Sequence, residues 1–298
     1  MSVVVRAPAK INPQLSVGPL RDDGYHELVS VFHAVSLVDV VTAQRGEGVQ
    51  VSMSGEGSES LATDDSNLVV QAIHALAQHA QIDPHVSIHV KKSIPLAGGM
   101  AGGSADAAGT LVACDALWGT GLSREELADI GARVGSDVPF AVFGSNAIGR
   151  GRGEKIMPVL GRGQFHWVFA LSYEGLSTPA VYRQCDTSRE GEQIRPPEVS
   201  DALLHALRQG DANALAAALH NDLQPAAISL RPSLRSLLEA GVEYGALAGV
   251  VSGSGPTCAF LCRDSAHSID VAVAMTATGM CRTAVSYTHL RAHETIAD

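Results

Sequence analysis

Four glycines within six positions, Gly98, Gly99, Gly102 and Gly103, form the segment of this chain best suited to chemistry. A strand-like stretch, Val86 to Val90, precedes them, and an Ala-rich stretch with helical character begins near Ser104. Glycine lets backbone N–H groups approach a ligand with no side chain in the way. A helix N-terminus directly after such a loop adds partial positive charge. The combination suits a phosphate group, although a tight strand–helix turn would carry the same pattern. The loop is not a Walker A motif, because no Lys follows Gly103. It is neither a G-x-G-x-x-G dinucleotide fingerprint nor a G-x-S-x-G nucleophile elbow.

Other segments are weaker as they stand. Ser252-Gly253-Ser254-Gly255 reads as a ligand loop or a hairpin turn. Asp137, in Gly135-Ser136-Asp137-Val138-Pro139, reads alone as a helix N-cap, as does Asn67 after Asp65-Ser66. Lys10 alone is a solvated charge, and so is the pair Lys91 and Lys92, unless it serves a nucleotide. His74, His79, His85 and His89 lack an H-E-x-x-H or a Cys/His quartet, so no metal site is expected. The five cysteines contain no C-x-x-C and read as small buried apolar residues.

These segments need a framework, and the chain of 298 residues supplies one that is 46% hydrophobic with only 4% aromatics. That suits an Ala/Val/Leu-packed α/β or α+β protein and excludes a disordered chain or a disulfide-stapled miniprotein. The net charge of −10 argues against nucleic acid as a partner, while leaving room for a small anion where cations gather. No secretory leader pattern opens the sequence and no run of 18 apolar residues occurs in it. No membrane partner is therefore expected, and a reduced cytoplasm is the expected compartment. Residues 3 to 53 read as short strands around a polar turn, Arg21-Asp22-Asp23-Gly24. Helices are expected after Asn67, from Ser123 with Glu126 completing a capping box, and over 199–207, 211–219, 234–239 and 266–277. Strands are expected at 167–171, 246–251 and 258–261. The glycine clusters at 149–153 and 161–163 suggest a domain boundary near residue 155.

Pro95-Leu96-Ala97-Gly98-Gly99-Met100-Ala101-Gly102-Gly103-Ser104-Ala105-Asp106 resembles the ATP loop of the GHMP kinases. Pro8-Ala9-Lys10-Ile11-Asn12, Gly135-Ser136-Asp137-Val138-Pro139 and Ser252-Gly253-Ser254-Gly255-Pro256-Thr257 resemble three further motifs of that family, in order. The resemblance implies an α+β fold of two domains. Residues 1–155 would be a ribosomal-protein-S5-domain-2-like ATP-binding domain, and residues 156–285 a ferredoxin-like domain. It implies ATP and Mg²⁺ as cofactors, with Pro95 to Ala105 and Asn67 on the ATP side. Asp137 would be the general base and Lys10 its partner. Asp23-Gly24-Tyr25-His26-Glu27-Leu28 and Thr178-Pro179-Ala180-Val181-Tyr182 are similar to the branch whose acceptor is a CDP-linked methylerythritol. In that branch Tyr25 and Tyr182 would sandwich the cytosine, His26 would read its edge, and Asn12, Gly253 and Ser254 would complete the acceptor side. Ser104 would either approach the phosphates or cap its helix. The alternatives are a homoserine- or mevalonate-type kinase and a non-catalytic nucleotide-binding relative. The oligomeric state, monomer or homodimer, stays open.

Two departures from the family pattern carry expectations. Pro13 removes a ladder N–H, so its strand should be at an edge or an end there. Residues 286–298, at the end of Ala284-Val285-Ser286-Tyr287-Thr288-His289-Leu290, look foreign to the family. They are expected to pack loosely and to leave the last strand incomplete.

Overall fold

The computed structural model describes residues 2–96 and 98–289. Two long strands, β1 (Ser2–Leu20) and β2 (His26–Gln44), form an antiparallel hairpin that is the backbone of the first sheet. The turn between them is the predicted polar one, closed by Arg21 N donating to Tyr25 O at 2.7 Å. The strands are much longer than the β-branched clusters alone suggest, because apolar residues continue through Ala7 to Leu15 and Val29 to Val41. β3 (Val49–Gly55), α1 (Leu68–Ala80) and β4 (Val86–Lys92) follow, then α2 (Gly102–Trp118), α3 (Arg124–Val134) and α4 (Val138–Phe143). β5 (Asn146–Gly151) and β6 (Lys155–Pro158) close this part.

The second part contains β7 (His166–Leu171), α5 (Thr178–Ser188), α6 (Asp201–Gln209), α7 (Ala212–Ala218) and β8 (His220–Asn221). It continues through α8 (Gln224–Leu230), α9 (Ser233–Glu243), β9 (Ala248–Val251), β10 (Cys258–Cys262), α10 (Ser265–Ala277) and β11 (Thr283–Thr288). The first sheet has seven strands, with β3-β4-β2-β1-β8 as its main path and β5 and β6 attached beside β2. The second has four, in the order β11-β7-β10-β9. The change of sheet falls between Pro158 and His166, and β8 returns to pair with β1.

The inner strands of the second sheet, β7 and β10, are buried on both faces, so they read as nearly unbroken apolar runs rather than alternations. Trp167, Phe169 and Leu171 face a core shared with Ala9, Ile11 and Val31 of the first sheet. Val168 and Ala170 face a core made with α5, α8, α9 and α10. The other face of the first sheet is covered by α1, α2 and α3. α2 is buried on nearly every side, and its sequence shows why it is Ala- and Gly-rich. A Cβ on Gly109 would lie 2.8 Å from Val41 Cγ2, so only glycine lets the helix lie this close to the sheet.

One expectation is met and another needs correction. β1 does not end at Pro13, but among the described residues it has no strand partner on the side away from β2 until Gln14, so Pro13 does lie on an edge. The register slips between Ile11 and Gln14, so Pro13 sits in a bulge, which tolerates a missing N–H, and β8 pairs beyond it. The loose tail does not begin at Ser286. Ser286, Tyr287 and Thr288 pair with Val168, Trp167 and His166, and β11 runs the full length of β7. Thr, Val and Tyr are good strand formers, and the open edge of β7 offers them backbone partners. The remainder of that expectation, residues 290–298, lies outside the described residues.

Candidate active site

β1 brings the first two polar residues to the site. Lys10 and Asn12 are two apart, so they share a face of the strand, and both are buried. Lys10 Nζ donates to Asn12 Oδ1 at 2.7 Å and to the Gly99 carbonyl at 2.9 Å. Asn12 Nδ2 donates to Ser30 Oγ at 2.6 Å. The lysine is thus held by strand and loop before any ligand arrives. Asp137, at the start of α4, brings a carboxylate oxygen to 3.9 Å from Lys10 Nζ. Burial pulls the Lys10 ammonium below its ordinary range, and the Asp137 charge opposes that pull.

The glycine loop crosses above this pair. Gly99 has φ of 72°, and a Cβ there would lie 2.1 Å from the Ser252 carbonyl. Glycine is therefore required both by the backbone and by the close approach of the second loop. Ser252 Oγ donates to the Gly99 carbonyl at 3.1 Å. Ala101 also sits in the left-handed region, with φ of 58°, directly before α2. Strain of this kind in a non-glycine residue gathers at functional sites. From the other side, Asn221 Nδ2 donates to the Val251 and Gly253 carbonyls. Thr178 and Ser254 join their hydroxyls at 2.7 Å.

These elements enclose a cavity of about 1040 Å³. Lys10, Asn12, Tyr25, His26, Asp137, Tyr182, Gly253 and Ser254 line it, with Pro95, Leu96, Gly98, Gly99, Ala101, Gly102 and Gly103 of the loop. Met100 and Ala105 lie in the core beneath. Ser104 is not among the lining residues. Neither is Asn67, whose Oδ1 caps α1 by accepting from Val69 N at 2.8 Å. Ala97 lies outside the described residues. Lys91 is exposed, but Lys92 is buried among carboxylates and is no solvated charge.

Several cavity residues escaped the sequence reading. Arg133, Arg152 and Arg183 join Lys10 on the lining, against the carboxylates of Asp137 and Asp186. A cationic cavity in an acidic protein favours anions bearing several charges. The Arg152 guanidinium lies 4.8 Å from the centre of the Tyr25 ring. Asp186 Oδ1 is 2.7 Å from His26 Nε2, and the Tyr182 ring stacks on His26 at 5.2 Å. Burial, helped by the Asp137 charge, raises the Tyr182 hydroxyl, which stays neutral. Arg152 sits in the Gly149–Gly153 cluster, where glycine spacing drew notice and the arginines between did not. Nothing in the sequence pattern distinguishes Asp186 from any exposed helix acid. Among the described residues, no group of three or more His, Cys, Asp or Glu side chains gathers to hold a metal.

The sequence profile of the GHMP kinases N terminal domain matches residues 67–145, and that of the GHMP kinases C terminal region matches residues 203–279. The chain is 58% identical over 282 residues to a 4-diphosphocytidyl-2-C-methyl-D-erythritol kinase of Salinispora arenicola, covering 94% of this chain and 90% of that one. A crystal structure of a 4-(cytidine 5'-diphospho)-2C-methyl-D-erythritol kinase superimposes with a TM-score of 0.79 at 30% identity, covering 96% and 98% of the two chains. A homoserine kinase from Cytophaga hutchinsonii superimposes with a TM-score of 0.76 at 17% identity, covering 97% and 94%, which is a likeness of fold.

Proposed function

The chain belongs to the GHMP kinases and, within them, to the 4-diphosphocytidyl-2-C-methyl-D-erythritol kinases, and from that premise we propose how its own residues carry the reaction. The protein is an ATP-dependent phosphotransferase of the non-mevalonate isoprenoid route. The reaction moves the γ-phosphoryl group of ATP to the 2-hydroxyl of the CDP-linked methylerythritol and releases ADP.

In this reading the molecule divides into an ATP-binding domain over 1–155 and a second domain over 156–285. The 95–105 loop and the N-terminus of α2 cradle the phosphates with backbone N–H groups, and the helix dipole favours their charge. Asp137 accepts the acceptor's hydroxyl proton as the O–P bond forms. Lys10, held by Asn12 and Gly99, offsets negative charge on the attacking oxygen and on the transferring group. A loose phosphoryl-transfer transition state asks for positioning and charge more than for a strong base. Tyr25 and Tyr182 offer flat faces to the cytosine, and His26 reads its edge. Arg152 and Arg183 are suited to the diphosphate. Mg²⁺ would enter with the nucleotide, with Asp137 as the cavity carboxylate suited to help hold it, and would supply charge neutralisation for the phosphates. The free, buried state of all five cysteines supports a reducing cytoplasm.

The observation that carries this reading is the Lys10–Asp137 approach, at 3.9 Å, on the wall of a cavity roofed by the glycine loop. The test is ADP release from Mg-ATP with the CDP-linked acceptor, homoserine or mevalonate. Turnover is expected with the first alone. Asp137→Asn should lower kcat by about 10²- to 10⁴-fold, the usual worth of a positioned base. Turnover with another alcohol would replace the acceptor assignment. No turnover in a folded protein that binds ATP would favour a non-catalytic relative.

A further inference from the structure

Beneath the glycine loop lies a cluster of three ionisable side chains, Asp39 of β2, Lys92 of β4 and Asp106 of α2, all at most 3% exposed. Lys92 Nζ donates to Asp39 Oδ2 and to Asp106 Oδ2. Asp39 Oδ1 accepts two backbone N–H groups, from Ser93 at 2.5 Å and Ile94 at 2.8 Å. None of the three side chains lines the cavity. We infer that this cluster is a positioning device for the nucleotide, clamping both stems of the 93–101 loop so that the phosphate cradle keeps its shape. The inference rests on the ATP role proposed for that loop.

The topology gives the clamp its meaning. The loop leaves the sheet at Lys92 and enters α2 at Gly102. Asp39 holds the entry stem through the amides of Ser93 and Ile94. Asp106 holds the exit stem, one turn into α2, by the same ammonium. A Cβ built on Gly102 would lie 3.5 Å from Lys92 Nζ, so the ammonium sits directly under the start of the helix. One lysine therefore ties β2, β4 and α2 together at the two points where the loop begins and ends.

Stability alone is a poor reason for this arrangement. Three buried ionisable groups are expensive to desolvate, and apolar residues of equal volume often serve a core as well or better. A cation at a helix N-terminus is also opposed by the helix dipole. Two carboxylates are needed to offset both costs. Directional, charge-assisted hydrogen bonds fix relative positions in a way that apolar contacts do not. Burial, aided by the charge of Asp39 and opposed by Lys92, pushes the Asp106 carboxyl up to about 7.

The experiment measures equilibrium binding of ATP alongside the two KM values and the thermal midpoint, for the unchanged protein, Asp106→Ala and Asp106→Asn. In Asp106→Ala the ATP dissociation constant and KM should rise about tenfold, as expected when a positioning group is lost. The acceptor's KM should stay within about twofold, because that side of the cavity is untouched, and Asp106→Asn, which keeps an acceptor for Lys92, should recover most of the loss. If Asp106→Ala does not fold, Asp39→Asn takes its place under the same criteria. A folded variant that binds ATP like the unchanged protein overturns the inference. So does a variant whose two KM values shift in parallel with its thermal midpoint. Binding of ATP is read directly, so a wrong acceptor assignment would leave this test intact. An unchanged protein that binds no ATP would refute the nucleotide role itself.

Discussion

The two halves of the candidate site are built in different ways. On the side proposed for the nucleotide the groups offered to a ligand are backbone. The loop from Pro95 to Gly103 owes its shape to glycine conformations, to the close pass of Ser252 and to ion pairs buried beneath it. On the side proposed for the acceptor those groups are side chains drawn from several strands, helices and turns, and some are open to solvent. Tyr25 is 53% exposed and braced by Arg152, while His26 is buried between Asp186 and Tyr182. A backbone-built half needs a contiguous stretch of unusual residues. A side-chain-built half needs only that the right residues meet.

This contrast can be broken in graded steps. The largest effect beyond loss of the base is expected from Gly99→Ala. The added Cβ meets the Ser252 carbonyl at 2.1 Å, and φ is 72°. The strain alone is worth about 1–3 kcal/mol, and the carbonyl clash adds to it. ATP KM should rise steeply and the thermal midpoint should fall. A variant with ordinary ATP kinetics would show that the loop is not rigid. On the other side, Tyr25→Ala should raise the acceptor's KM by roughly 5- to 150-fold, the equivalent of about 1–3 kcal/mol for a stacked base. ATP KM should not change. Arg152→Ala, which removes a contact at an exposed site, should do the same to a lesser degree, about 0.5–1 kcal/mol. A change in ATP KM with either variant would mean that the halves are coupled.

The smallest effect is in the pH profile. The role proposed for Lys10 needs its charged form, and burial lowers the pH at which it loses its proton. Activity should therefore decline as pH rises, at a pH below the ordinary lysine value of about 10.4. Asp137 holds the proton on, so the residual activity of Asp137→Asn should decline at a lower pH still. A limb that does not move would mean that the two groups are not in electrostatic contact.

Much of this could be read from the residues. The N-caps at Asn67 and Ser123 appear as predicted, because capping depends on neighbours two or three residues away. The turn at 21–24 and the apolar runs of β7 and β10 are local in the same sense. The long strands, the bulge at Pro13 and the pairing of β11 with β7 depend on partners distant in the chain. Lys92 is the clearest case. As part of a Lys-Lys pair it looked solvated, yet it is buried, because β2 and α2 each set a carboxylate where its ammonium ends.

Residue pattern alone picked out the glycine loop as a candidate phosphate cradle and placed the helix caps at Asn67 and Ser123, since each is carried by a continuous segment whose physics is local. Tertiary structure alone decided that Lys10 meets Asp137, that Arg152 covers Tyr25 and that one lysine ties both stems of the loop. Those contacts join strands, helices and loops from remote parts of the chain, and only the packing of two sheets and their helices brings them within reach.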